Sequence, residues 1–190
     1  MAKLIIASIP RSGSTWLFRS ICGLKHKSKT PKDNFYDIDG VMVPYKHVKG
    51  WDVIKTHLPY YYWRSSLDKE DRVIFLYGDV VESVISTYLK RNEPNHYKQC
   101  GYFGEKKNIF KEDFLGYEAI FISWFFADVK KIFVKYENFD FDKVKKFVPF
   151  DFSFNEFKQR ENSNKDKISS EQVKQAKSTY ASLIYKTRWA

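Results

Sequence analysis

Cysteine and long apolar runs are both scarce in this 190-residue chain. Its two cysteines, Cys22 and Cys100, form no CxxC pair and no cluster with histidine, which argues against a disulfide framework and a structural zinc site. The apolar run nearest the N-terminus, residues 4–7, is far shorter than the roughly 20 residues that a membrane span needs, and it does not resemble a signal peptide. We therefore expect no membrane span and a cytoplasmic location.

Acidic residues are outnumbered by basic ones. The chain has 33 lysines and arginines against 23 aspartates and glutamates, which gives a formal charge of +10. This excess suits an anionic small molecule, a nucleic acid or an anionic surface, and charge alone does not choose among them. Hydrophobic residues make up 43% and aromatic residues 18% of the chain, which is typical of a globular protein. We expect one domain spanning residues 1–190.

Short apolar runs alternate with helical patterns along the sequence. Continuous apolar runs predict buried strands at residues 3–9, 52–56, 72–77 and 131–136. Apolar residues three or four positions apart predict helices at residues 16–24, 80–91 and 114–125, a short amphipathic segment at 141–148, and a last helix from about 169 to 185. This order predicts an α/β fold, with a three-layer parallel sheet flanked by helices and ligands bound at the carboxyl ends of the strands.

A polar turn joins the first predicted strand to the first helix. Its residues 10–16 read Pro-Arg-Ser-Gly-Ser-Thr-Trp. Backbone N–H groups and a helix N-terminus can cradle a phosphate there, and Arg11 adds positive charge from the side. The turn lacks the second glycine and the lysine of a Walker A loop, which disfavours an ordinary P-loop kinase. A simple capped turn, with Ser12 as the cap and Gly13 for backbone freedom, is the alternative interpretation.

These seven residues resemble the 5′-phosphosulfate-binding loop of the sulfotransferases, whose donor is 3′-phosphoadenosine 5′-phosphosulfate (PAPS). Residues 55–59, Lys-Thr-His-Leu-Pro, are similar to the stretch that carries the catalytic histidine in the cytosolic members. The run ending in Tyr136 and Glu137 resembles a late strand of sulfotransferase domains. The resemblance implies a P-loop NTPase-like sulfotransferase fold, PAPS as donor co-substrate, no required metal, and a small-molecule acceptor with a hydroxyl or amine group.

The resemblance also implies roles for individual residues. His57 would be the general base, and Lys55 and Arg11 would stabilise negative charge on the oxygen between sulfur and the leaving phosphate. In a regular strand, Lys55 and His57 point to the same side, so that a positive charge and a base converge on one ligand. The residues expected to bind the donor are Arg11, Ser12, Gly13, Ser14, Thr15, Trp16 and Ser86.

Two features depart from the family pattern. In the family, an arginine after the third strand and a serine eight residues further on bind the 3′-phosphate of the donor. Ser86 matches the serine, but Gly78 stands where the arginine is expected. The C-terminal motif of glycine and lysine is absent too, since no glycine follows Gly116. The polar segment 160–167 is a candidate source of replacement donors.

Three functions remain open from the sequence. The leading one is sulfuryl transfer from PAPS, and the second is a nucleotide-dependent, kinase-like phosphotransferase on the same scaffold, which would require Mg²⁺. The third is a non-catalytic or degenerate binder of nucleotides or nucleic acid, although no recognised nucleic-acid motif is visible and this partner is disfavoured. Aromatic clusters at residues 60–63 and 97–103 are candidates for an acceptor pocket, with core packing as the alternative. The sequence names neither the acceptor nor the oligomeric state.

Overall fold

A computed structural model describes residues 1–25, 35–38, 40–89, 108–157 and 165–190. In these ranges the strands are β1 (Lys3–Ser8), β2 (Phe35–Ile38), β3 (Val41–Val48), β4 (Trp51–Thr56), β5 (Arg72–Tyr77) and β6 (Lys130–Lys135). The helices are α1 (Ser14–Ile21), α2 (Val80–Leu89), α3 (Tyr117–Phe125), α4 (Phe141–Phe147), α5 (Ser170–Thr179) and α6 (Ala181–Lys186). Single turns of 3₁₀ helix occupy Tyr60–Tyr62, Lys165–Lys167 and Thr187–Trp189.

The strands form one six-stranded sheet in the order β2-β3-β4-β1-β5-β6. The four strands predicted from apolar runs are β4, β1, β5 and β6, and they pair with one another in parallel, so the predicted α/β fold is confirmed. The prediction omitted β2 and β3, which pair with antiparallel register and make the sheet mixed. This hairpin turns at Gly40, whose N–H donates to Asp37 Oδ1 at 2.8 Å.

Helices cover both faces of the sheet. In β5, Val73, Phe75 and Tyr77 contact the layer that contains α2, α3, α5 and α6. Ile74 and Leu76 point the opposite way, toward α1 and α4. A strand that is buried on both faces needs apolar residues at every position, which is why these strands read as continuous apolar runs. Each such side chain contributes about 1.5–3 kcal/mol when it is fully buried.

The last predicted helix is two helices in the structure. Its start is as expected, because Ser169 caps α5 and forms a capping box with Gln172. The chain then bends at Tyr180, which separates α5 from α6. The Tyr180 hydroxyl donates to the carbonyl oxygen of Ile109 at 3.1 Å, so a buried contact fixes the bend. No helix in the described part of the chain is long and apolar enough to cross a membrane.

Some predictions fall outside the described residues. These are the end of the second predicted helix beyond Leu89, the aromatic cluster 97–103, and most of the polar segment 160–167. The central strands are all described. Because β1, β4, β5 and β6 are parallel, the turns that follow them meet at one edge of the sheet, where the candidate site lies.

Candidate functional site

The turn between β1 and α1 contains two left-handed residues. Arg11 has a φ of +69° and Gly13 a φ of +81°, and a residue with a side chain rarely adopts this conformation. Gly13 is the N-cap of α1 and has no side chain to accept from the first N–H groups of the helix. The positive end of the helix dipole therefore faces out of the turn, where it attracts an anion.

Ser12 gives this turn a second feature suited to an anion. The residue is 1% exposed, and its buried Oγ has no hydrogen-bond partner among the described residues. A buried hydroxyl that lacks a partner costs about 1–3 kcal/mol, so an acceptor atom brought by a ligand would recover this energy. The turn thus brings together a hydroxyl without a partner among the described residues, helix N–H groups and a guanidinium, a set suited to an anion.

A hydrogen bond joins this turn to α2. The Nε of Arg11 donates to the Oγ of Ser86 at 3.0 Å, and Ser86 is buried in the second turn of the helix. The bond uses one of the five N–H donors of the guanidinium. Two residues that were predicted separately as donor ligands are thus brought into direct contact, with the positive charge of Arg11 held between the turn and α2.

His57 lies in a buried series of polar groups. Its Nδ1 is 3.0 Å from both the carbonyl oxygen and the Oγ of Ser8, and its Nε2 is 3.1 Å from the Nζ of Lys55. An ammonium group can only donate, so Nε2 accepts from Lys55, and the ring proton lies on Nδ1, which donates to Ser8. Ser8, Lys55 and His57 are only 0%, 6% and 3% exposed. The contacts therefore select a neutral imidazole with a lone pair on Nε2.

Local bonding after β4 positions His57. The strand ends at Thr56, whose Oγ1 accepts from the N–H of Leu58 at 2.9 Å and turns the chain. The carbonyl of Leu58 in turn accepts from the Nε1 of Trp124, at 2.9 Å. Lys55 and His57 stay on one side of the chain through this turn, as the sequence predicted. Ser8 was missed, and strand register was the missing signal: Ala7 lies opposite Thr56, which places Ser8 next to His57.

A carboxylate occupies the space beside Gly78. The Oε1 of Glu137 accepts from the N–H of Asp79 at 2.8 Å, and a Cβ at Gly78 would lie 2.8 Å from the same oxygen. Burial raises the pKa of Tyr77, and the charge of Glu137 raises it further. Position 78 therefore carries no cation, any side chain there would displace the end of the Glu137 side chain, and an acidic group lies where the family carries a cation. The sequence analysis used Glu137 for topology alone and missed this role.

The remaining predicted donor ligands lie at the start of α1. Ser14 is buried and Thr15 is exposed. The ring of Trp16 stacks on Phe154 with a centroid distance of 5.7 Å and an interplanar angle of 9°. Its Nε1 faces the carbonyl oxygens of Asn155 and Glu156, at 3.3 and 3.2 Å. Trp16 thus packs against its own chain, and its contact with a donor remains a prediction.

The aromatic cluster 60–63 divides between core and surface. Trp63 is completely buried, and Tyr60 and Tyr62 pack against the same core. Tyr61 is 54% exposed, and its ring centroid is 4.8 Å from that of Tyr62. Core packing therefore accounts for most of this cluster, and Tyr61 is its exposed member.

The described residues indicate neither a metal site nor a reactive cysteine. No group of three or more histidine, cysteine, aspartate or glutamate side chains in the described ranges is arranged to hold a metal ion. Cys22 is buried, and this burial raises its pKa to about 12, so its thiol stays protonated near neutral pH and is a poor nucleophile.

Comparison with known proteins indicates which family has this sequence pattern. Among solved structures, the G domain of the T. maritima FeoB iron transporter is similar at 18% identity, over 78% of this chain and 96% of that chain. The TM-score of this pair is 0.31, which is too low to indicate a shared fold. None of the curated proteins matches. The model of the sulfotransferase domain matches residues 2–141, which include the β1–α1 turn, Lys55, His57 and Ser86. This match spans well over half of the chain, and the protein therefore belongs to the sulfotransferase family.

Proposed function

We propose that the protein transfers a sulfuryl group from PAPS to the hydroxyl or amine group of a small-molecule acceptor, with His57 as the general base. The observation that carries this proposal is the buried series of Ser8, Lys55 and His57 next to the β1–α1 turn. A base and a buried cation lie there beside a turn that is suited to an anion. This combination suits transfer of a charged group to a hydroxyl.

The donor is held through its 5′ end in this proposal. Ser12 Oγ, the first N–H groups of α1 and the Arg11 guanidinium bind the phosphosulfate oxygens. Ser86 fixes the guanidinium through its bond to Nε, so Arg11 meets the donor with its orientation already set. Bound PAPS supplies the sulfuryl group, and its nucleotide is the leaving group.

His57 moves the proton. With Nδ1–H donating to Ser8, the Nε2 lone pair accepts the proton of the acceptor hydroxyl, which takes the place of Lys55 at that atom. The acceptor oxygen forms its bond to sulfur as the bond from sulfur to the nucleotide phosphate oxygen breaks, and the nucleotide keeps that electron pair. Lys55, released from Nε2, turns its ammonium toward the leaving oxygen. A buried cation acts strongly there because little water screens it.

Replacing Ser12 by alanine tests the anion site. We expect this change to weaken binding of 3′-phosphoadenosine 5′-phosphate (PAP) by about 10–150-fold, because a hydrogen bond to a charged group is worth about 1.5–3 kcal/mol. The stability of the unliganded protein should stay the same or rise, because the buried Oγ has no partner to lose within the described part of the chain. Calorimetric titration and thermal unfolding measure the two effects.

Ser20→Ala is the matched control. The Ser20 hydroxyl is also buried, but it donates to the Trp16 carbonyl and accepts from the N–H of Asn155, at 3.1 and 3.0 Å. Its loss should lower the unfolding temperature and change PAP affinity much less than Ser12→Ala does. Unchanged PAP affinity in Ser12→Ala would remove the turn from the donor site. Tight, Mg²⁺-dependent binding of ATP in place of PAP would favour the kinase-like function instead.

A further inference from the structure

A cavity opens at the carboxyl ends of β5 and β6. Its volume is about 620 Å³, which lies within the range of about 300–1,000 Å³ that is usual for small-molecule sites. The first turn of α2 forms one wall, and α5, α6 and the 3₁₀ turns beside them form the other. The charged residues that line it are Lys135, Lys165, Lys177, Arg188, Asp79 and Glu137.

Positive charge dominates this cavity. Its two carboxylates already have internal contacts: Asp79 accepts from the N–H of Glu82 at 2.9 Å, and Glu137 accepts from the N–H of Asp79. Lys165 lies 3.5 Å from the second oxygen of Asp79 and 3.7 Å from Glu82, so these acids offset its charge. Lys135, Lys177 and Arg188 are exposed and add three positive charges to the rim. The cavity is therefore suited to an anion at its outer, C-terminal side.

The order of the strands places this cavity relative to the reacting atoms. β1 lies between β4 and β5, so His57 follows the strand on one side of the β1–α1 turn and the cavity follows the strands on the other side. Neighbouring strands are about 4.8 Å apart, which keeps the cavity within the length of one nucleotide. In an in-line transfer, the acceptor and the leaving group lie on opposite sides of sulfur. The cavity is thus on the leaving-group side.

We propose that this cavity binds the 3′-phosphate of the donor nucleotide, with Lys177 and Arg188 as its principal cations. The inference rests on the proposed function, because it assumes that a nucleotide occupies the β1–α1 turn. Gly78 supplies no cation and the carboxylate of Glu137 lies beside it, so in this proposal the charge that holds the phosphate comes from the C-terminal helical segment. Of the polar segment suggested by the sequence, Lys165 contributes to the wall.

The test compares PAP with adenosine 5′-monophosphate, which differ by the 3′-phosphate alone. The wild-type protein should bind PAP at least about 10-fold more tightly in calorimetric titration. The double variant Lys177→Gln/Arg188→Gln should lose about 10–100-fold in PAP affinity and keep its affinity for the monophosphate. Both side chains are exposed, so the variant should fold normally. Lys174→Gln is the matched control, because this exposed lysine lies on α5 but not among the residues lining the cavity.

The outcomes separate this inference from the function on which it rests. Equal affinity of the wild-type protein for the two nucleotides, or an equal loss of both in the double variant, would overturn the cavity's role. Monophosphate binding that weakens in Ser12→Ala would still support the donor site at the turn. A double variant with unchanged PAP affinity and a raised KM for an acidic acceptor would assign the cavity to the acceptor and overturn the inference. Failure of every nucleotide to bind would overturn both proposals.

Discussion

Replacing His57 by alanine is expected to lower the turnover number for sulfuryl transfer by about 10²–10⁴-fold, the usual contribution of a general base. The affinity for PAP should change little, because in the proposed mechanism the imidazole contacts the acceptor, and in the structure it bonds to Ser8 and Lys55. Initial rates with labelled PAPS and calorimetric titration with PAP measure the two effects separately. Thermal unfolding of the same variant shows whether the buried Lys55 tolerates the loss of its partner.

His47→Ala is the control for this experiment. His47 lies on β3, its side chain is 51% exposed, and its Nδ1 is 3.1 Å from Asp52 Oδ1. Loss of this histidine should leave both turnover and PAP affinity near their wild-type values. If His57→Ala instead weakens PAP binding strongly and keeps the wild-type turnover number at saturating donor, His57 holds the ligand and another group accepts the proton.

Gly13→Ala is expected to destabilise the protein by about 2–5 kcal/mol. A left-handed conformation costs a residue with a side chain about 1–2 kcal/mol, and overpacking costs about 1–3 kcal/mol more. Both apply at Gly13, where φ is +81° and a Cβ would lie 2.6 Å from Cδ2 of Tyr136. Chemical denaturation measures this loss. PAP affinity should fall as well, because relief of the contact moves the turn.

Gly23→Ala separates the two causes. Gly23 also has a positive φ, +62°, but no atom of the described residues lies within 4 Å of the position of its Cβ. This variant should lose about 1–2 kcal/mol, the conformational cost alone, and keep its PAP affinity. Equal losses in the two variants would mean that the contact with Tyr136 does not constrain the turn.

The sequence predicted the central strands of the sheet because both of their faces are buried. A strand buried on both faces has apolar residues at successive positions, and this continuous run is visible in the sequence. The edge hairpin carries a weaker signal. In β3, buried and exposed positions alternate at first, and Pro44 interrupts the run, which is tolerated only near a sheet edge. Its half-exposed residues resemble a surface loop when they are read without their neighbours.

The candidate site divides in the same way. The β1–α1 turn and the pair of Lys55 and His57 are local in sequence, and a local pattern predicted them. Ser8 and Glu137 act on residues that are distant in sequence, through the pairing of β1 with β4 and of β5 with β6. No composition or spacing in a single sequence specifies which strands are neighbours, so these two residues required the structure.

Trp16 gives the β1–α1 turn a dependence on a part of the chain outside the family match. Its Nε1 faces the carbonyl oxygens of Asn155 and Glu156, whereas the match ends at residue 141. The first turn of α1 therefore packs against residues 155–156, which belong to a stretch with no recognisable motif. With the donor bound at the turn as proposed, sequence changes in that stretch would alter donor affinity while every motif residue is preserved, so two relatives with identical turns need not share the same affinity.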